Sequence, residues 1–203
     1  MKTSISVVLA LAAMIVFQVG RADSAVPSHA SSATQMAHAA TAFVDALTNE
    51  QRREAVFPLD DEDRPTWSNL PMRMARPSGL LVGEMTDAQR GALHDLLRAS
   101  LSSQGYAKMT GIMRLDDLLY EFGYARLTAQ PDTAETRERL EWLKTRSSGN
   151  YVVGIYGDPS GQNWGWKISG HHGAANFTVA DGRVGFTPTF VGSNPLTVES
   201  GIS

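Results

Sequence analysis

Apolar residues recur at helical spacing over the first two thirds of the chain and at strand spacing over the last third. Met36, Ala40, Phe43 and Leu47 fall on one face of a helix. Thr48, followed three positions later by Gln51, has the form of a capping box and predicts a second, short helix. The same pairing recurs at Thr86 and Gln89. It precedes the stripe Leu93, Leu96, Leu97 and Leu101 of a half-buried helix, expected to close near Gly105. From Tyr106, Met109, Ile112 and Met113 form one stripe, and Leu115, Leu118, Leu119 and Phe122 form another, out of phase with the first. A break is expected near Asp116 and Asp117, because continuing the first phase would put the Asp116 carboxylate on the apolar face, where an unpaired charge is costly. The alternative is an unbroken helix buried on two sides, with Asp116 as a functional acid. Pro131, Asp132 and Thr133 then signal a further helix ending near Leu143.

After the turn residues Ser147, Ser148, Gly149 and Asn150, the pattern changes. Residues 151–156 are aromatic and β-branched, and residues 164–171 alternate well enough for a second strand. Asp181-Gly182, between strands expected at 176–179 and 183–186, is the strongest hairpin signal in the chain. Helices followed by strands, without alternation, predict an α+β domain: N-terminal helices packed on a C-terminal antiparallel sheet. Residues 57–77 fit neither pattern. Pro58, Pro65, Pro71 and Pro77 forbid a continuous helix there, so an ordered loop or edge strand is expected. The acidic run from Asp60 to Asp63 lacks the alternating ligands, the glycine turn and the distal glutamate of a calcium loop.

Residues 1–22 change the expected address of the chain. Lys2, an apolar run over 5–19 and a small-residue exit at Ala22 have the pattern of a secretory signal peptide, cleaved near Ala22. Residues 23–34 read as a flexible leader, in which His29 is inert, and residues 35–203 as one domain. The expected location is therefore periplasmic or secreted, with no membrane contact after cleavage. The chain has no cysteine, so stability rests on burial and hydrogen bonding. Cleavage would remove two of its 18 basic residues, leaving 16 against 21 acidic ones and a formal charge of −5. Such a surface repels phosphate backbones and argues against a nucleic-acid partner. No closing element follows the last strand, so the domain is expected to lack a C-terminal part or to self-associate through an exposed sheet edge.

The chemistry concentrates in residues 164–176, which hold two tryptophans, two adjacent histidines and an asparagine among glycines. Neighbouring residues on a regular strand face opposite ways. His171 and His172 therefore enter one site only if Gly170 and Gly173 allow a bulge. Without one, His172 is expected to share a face with Asn176, with His171 on the other. The leading reading is a divalent transition-metal site on His171 and His172, with His94, Asp116 or Asp158 as a third ligand. The alternative is a metal-free site for a sugar or aromatic molecule, with Trp164 and Trp166 as its wall and Asn163 and Asn176 as polar contacts. A third reading makes the two indoles purely structural core. Ser160 and Ser169 lie near the histidines in sequence, but neither sits in the glycine elbow of a nucleophilic hydrolase.

Gly79-Leu80, Glu84-Met85-Thr86, Gln89-Arg90, the helix over 96–101 with Gly105-Tyr106, Trp164-Gly165-Trp166, Gly170-His171-His172 and Asn176-Phe177-Thr178 together resemble an uncharacterised family. It is the domain of unknown function numbered thirty-five hundred, found mostly in exported bacterial proteins. The resemblance spans about residues 40–195. It is most specific in the Gly-His-His stretch, in Thr187-Pro188-Thr189-Phe190 and in Gly192-Ser193-Asn194-Pro195. Family members are similar in carrying an aliphatic pair before the asparagine, where this chain has Gly173, Ala174 and Ala175. The resemblance implies further helices beyond the Asn-Pro segment and brings no activity, cofactor or substrate.

Overall fold

The computed structural model of the protein describes residues 31–195, in which five α-helices precede most of a six-stranded, mainly antiparallel sheet. The α+β architecture expected from the hydrophobic pattern is the one observed. The signal peptide predicted at 1–22, His29 and most of the leader predicted at 23–34 lie outside the described residues. Where the leader overlaps them it is corrected: Ser31 caps helix α1, Ser32–Ala46, by accepting the Thr34 amide. No helix among the described residues is long and apolar enough to cross a membrane.

Both predicted capping boxes form. Thr48 and Gln51 start α2, Asn49–Ala55, and Thr86 and Gln89 start α3, Asp87–Ser100. The two boxes also join, because the Gln51 amide donates to Gln89 at 3.2 Å and Gln89 donates to the Ala46 carbonyl at 2.9 Å. A motif that satisfies local donors thus also fixes α1 and α2 against α3. The chain breaks between α3 and the next helix at Leu101 and Ser102, not at Gly105. Ser102 caps α4, Ser103–Thr128, and α5 follows at Ala134–Leu143.

Strand β1, Val56–Phe57, lies parallel to β3, Val152–Gly157, and β2, Leu80–Leu81, lies antiparallel to the other end of β3. Strands β4, Asn163–Gly170, β5, Gly173–Ala180, and β6, Arg183–Val191, complete the sheet in the order β1-β3-β4-β5-β6. At the predicted hairpin between β5 and β6, Asp181 and Gly182 both have positive φ, 48° and 74°. That is the condition for the tight turn this dipeptide favours.

The register gives the sheet two different faces. One carries Val153, Ile155, Trp164, Trp166, Ile168, Phe177 and Val179, all in a single core cluster with Met36 and Phe43 of α1 and Leu93, Leu96 and Leu97 of α3. The other carries Tyr156, Lys167, Ser169 and Asn176 and is covered by the proline-rich segment over 58–79. Lys167 holds that cover in place, donating from Nζ to the carbonyls of Asp63 at 2.9 Å and Thr66 at 2.8 Å. The acidic run organises the same segment. Asp61 accepts the Asp63 amide at 2.9 Å, and Asp63 accepts the Ser78 amide at 2.8 Å.

Candidate functional site

His171 and His172 are the two turn residues of the β4–β5 hairpin, whose last strand pair is Gly170 with Gly173. This corrects the expectation of a strand running through both histidines, with His172 and Asn176 on one face. His172 takes φ 59°, a left-handed conformation that histidine adopts more readily than most non-glycine residues. The imidazole centroids lie 4.0 Å apart with planes at 87°, so the turn brings the rings together without a bulge at the glycines. A register shift occurs further on, between Ala175 and Phe177, opposite Thr187 and Pro188 of β6. Pro188 has no amide to offer the ladder, and the Asn176 side chain donates to its carbonyl at 2.7 Å.

Gly170 and Gly173 serve a different neighbour. A Cβ on Gly170 would lie 2.4 Å from the Tyr151 ring, and one on Gly173 would lie 3.1 Å from that ring and 3.2 Å from the Met109 sulfur. The glycines let the fully buried Tyr151 lie across the end of the hairpin, where its hydroxyl donates to the His171 carbonyl. The His172 amide donates to the Asn69 carbonyl and the Gly192 amide donates to the His172 carbonyl, both at 2.9 Å. The turn is therefore held on three sides, by β3, by the 58–79 segment and by the residues after β6. Burial, reinforced by the charges of Asp116 and Asp117, keeps the Tyr151 phenol far above its ordinary pKa and so protonated as a donor.

Helix α4 runs unbroken through Asp116, which corrects the expected break. Met109, Met113 and Asp116 are its buried residues toward this end of the sheet, and Asp116 is only 2% exposed. The carboxylate is tolerated because it has a partner: its Oδ1 lies 2.6 Å from His171 Nδ1. Assigned from that bond, the Nδ1–H tautomer leaves the Nε2 lone pair as the acceptor of the ring. Arg146 Nη1, after α5, lies against both ring nitrogens of His171, at 2.7 Å from Nδ1 and closer to Nε2. Arg146 is pulled below its ordinary pKa by burial, with Asp116 opposing the shift. His172 is lowered mainly by burial and then by the neighbouring His171, so it favours the neutral form. Asp116 Oδ2 is buried without a hydrogen-bond partner among the described residues.

The other predicted site residues do not gather here. Trp164 and Trp166 are 0% and 1% exposed within the core cluster and present no open platform to a ligand. Burying an indole contributes roughly 4–6 kcal/mol. That exceeds the roughly 1–3 kcal/mol cost of leaving its N–H unpaired, as both are here. Asn163 is exposed at the start of β4, the end remote from the turn. His94 bonds to the Tyr106 hydroxyl at 2.9 Å, and Asp158 bonds to Ser160 at 2.8 Å in an exposed turn. Of the three suggested third ligands only Asp116 reaches the histidines, and no group of three His, Cys, Asp or Glu able to hold a metal occurs among the described residues. Arg146 and Tyr151 were not predicted; their roles depend on pairings across 25 and 20 positions that no local pattern marks.

No curated protein and no solved structure matches the chain. A family match runs from residue 29 to residue 203 and so includes α1, the sheet and the histidine turn. The chain belongs to the family described as Protein of unknown function (DUF3500).

Proposed function

We propose that the histidine turn is a small-ligand site in which His171, oriented by Asp116, accepts and returns a proton while Arg146 holds a negative group of the ligand. The observation that carries this reading is the 2.6 Å bond between Asp116 Oδ1 and His171 Nδ1 inside a buried setting. A carboxylate on one ring nitrogen fixes the tautomer and directs the basic lone pair of the other toward a reacting group. Arg146 Nη1 lies nearest that second nitrogen, with Nδ1 at 2.7 Å, and the residue also lines two surface cavities of about 530 and 350 Å³. An anion arriving through either one would draw the guanidinium off Nε2 and uncover the base.

Asp116→Asn tests the assignment. An amide donating to Nδ1 moves the ring proton to Nε2, where it faces the Arg146 donor. Nitrogen-15 spectra should give the Nδ1–H tautomer in the wild type and the Nε2–H tautomer in the variant. Hydrolysis of 4-nitrophenyl acetate, a general reporter of imidazole basicity, should fall by about 10²-fold or more in His171→Gln and Asp116→Asn. Equal rates in wild type and His171→Gln would remove the reading.

A second reading, a divalent transition metal on the two histidines, draws on the same bond, because a carboxylate on Nδ1 is the usual outer partner of a metal-bound imidazole. It requires Arg146 to leave Nε2 and a third ligand to join. Elemental analysis of protein purified without chelator separates the two. Export belongs to the proposal as well, supported by the signal-peptide pattern of residues 1–22 and the absence of cysteine; N-terminal sequencing of the secreted protein tests it.

A further inference from the structure

The polar face of the sheet carries a cavity apart from the histidine turn. Between that face and the 58–79 segment lies a cavity of about 390 Å³, lined by Arg64, Tyr156, Lys167, Asn176, Thr178 and Thr187, among others. That is within the size range of small-molecule sites. Lys167 is 1% exposed, which is rare for lysine, and its charge is offset by two carbonyls and by the Asp63 carboxylate at 3.7 Å. Asp63 in turn is occupied by the Ser78 amide.

Arg64 differs from Lys167 in having no carboxylate within 4.0 Å among the described residues. Its Nη2 donates to Thr178 at 2.9 Å and its Nη1 to the Leu59 carbonyl at 3.2 Å, which leaves donors for a further group. The floor beneath it is made for that posture. A Cβ on Gly165 would lie 2.9 Å from Arg64 Nη2 and 2.6 Å from the Phe177 carbonyl, so only glycine lets the guanidinium lie across the strand. Tyr156 supplies an independent sign of a missing partner. The residue is 1% exposed, lines the cavity, and its hydroxyl has no hydrogen-bond partner. Its ring is fixed by stacking on Phe57, with centroids 5.3 Å apart, and by Lys167 Nζ 5.1 Å from its centre. A buried hydroxyl without a partner is destabilising unless another molecule completes it.

We infer that this cavity binds a small carboxylate-bearing molecule, with Arg64 as the anchor of the carboxylate and the Tyr156 hydroxyl as a second donor. A planar guanidinium pre-set by Thr178 and Leu59 matches a carboxylate in two-point fashion. Lys167 is paired with Asp63, and Asp61, the other carboxylate whose charge reaches Lys167 and Tyr156, lies beyond 4.0 Å of the Arg64 guanidinium, which therefore keeps donors for a ligand carboxylate.

The test is titration of the full chain with succinate, observed through the amide signals of Gly165, Asn176 and Thr178. Chloride at equal ionic strength and glucose serve as controls. Saturable shifts are expected with succinate alone. Arg64→Gln should weaken binding by about tenfold or more, with Arg64→Lys intermediate. Tyr156→Phe should weaken binding several-fold while leaving the urea midpoint unchanged or raised, because it removes a hydroxyl that has no protein partner. That variant also decides the matter if Arg64→Gln folds poorly. The inference is overturned by an absence of saturable shifts, by equal affinity in Tyr156→Phe and wild type, or by glucose binding in preference to succinate. His171→Gln, which leaves residues 58–79 and their contacts to Lys167 and Thr178 untouched, should leave this binding intact, so the two ligand readings are tested separately.

Discussion

The bond between Asp116 and His171 gives the sharpest quantitative expectation. Asp116→Ala removes the only acceptor that His171 Nδ1 has among the described residues, at a position where the residue is 5% exposed, and it takes from Arg146 a carboxylate charge that favours the guanidinium. Leaving a buried donor unsatisfied costs about 1–3 kcal/mol, and stranding a buried charge costs more. We expect a loss of about 3 kcal/mol, the lower end of the range for a broken buried pair because Arg146 is only half-buried. His171→Ala should cost less, about 1–2 kcal/mol, since Arg146 can turn to the carboxylate that remains. The double alanine variant should then fall short of the sum by about 1 kcal/mol or more. Urea unfolding near neutral pH, with equal slopes across the four proteins, measures all three quantities. Additivity within about 0.5 kcal/mol would show that the two side chains do not stabilise each other. Replacing both by leucine makes the complementary point. A buried ionic pair exchanged for apolar residues is often neutral or stabilising. A double leucine variant as stable as wild type but inactive in acetate ester hydrolysis would therefore assign the pair to function.

Three further expectations use the same structure. Gly170→Ala sets a methyl group 2.4 Å from the Tyr151 ring and should cost about 1–3 kcal/mol in urea unfolding, whereas Gly111→Ala, with nothing within 4 Å on α4, should gain up to about 1 kcal/mol; similar values for the two would refute the close approach. His172 and His94 are both held below the ordinary value of 6.5, chiefly by burial, so the unfolded chain binds protons that the folded one does not. Their contribution to stability is fully present above that value and is lost as pH falls from it through their lower folded values. His172→Asn, which keeps a residue suited to positive φ, should flatten the acid side of the stability profile, and an unchanged slope would count against it. Finally, β6 is an edge strand with Val184 and Phe186 exposed. We propose that two chains pair along it, so sedimentation should show concentration-dependent dimers that Phe186→Lys abolishes; a wild type that stays monomeric at every concentration sinks this.

What could be read from sequence and what could not divides by the range of the interaction. The capping boxes at Thr48 and Thr86 and the Asp181-Gly182 turn are closed within three or four residues, and all three form as expected. The histidine turn escaped because Gly-His-His-Gly carries none of the usual two-residue turn chemistry. Its glycines suggested a bulge when they were there to admit Tyr151, 19 positions before the first of them. A break at Asp116 follows from the cost of an unpaired carboxylate on the apolar face, and no sequence pattern shows that a partner 55 positions away removes that cost. Lys167 gave the same difficulty in a strand. An alternating position with a lysine reads as solvated, and only the cover from residues 58–79 buries it.

That covering segment joins the two sites physically. It supplies the Asn69 carbonyl to the His172 amide, and the Asp63 and Thr66 carbonyls to Lys167. It also supplies Arg64 to Thr178, and Trp67 to a stack on Phe190 with centroids 6.4 Å apart; Phe190 lies the same distance from the His172 ring. A lysine buried on a sheet is costly by several kcal/mol unless its donors are met. Lys167 therefore favours only those states of the protein in which the segment is already laid across the sheet. In those states the Arg64 cavity has its wall and the histidine turn has its third support. The same buried cation that makes an unpromising strand residue thus makes the formation of both sites conditional on one event, the docking of residues 58–79.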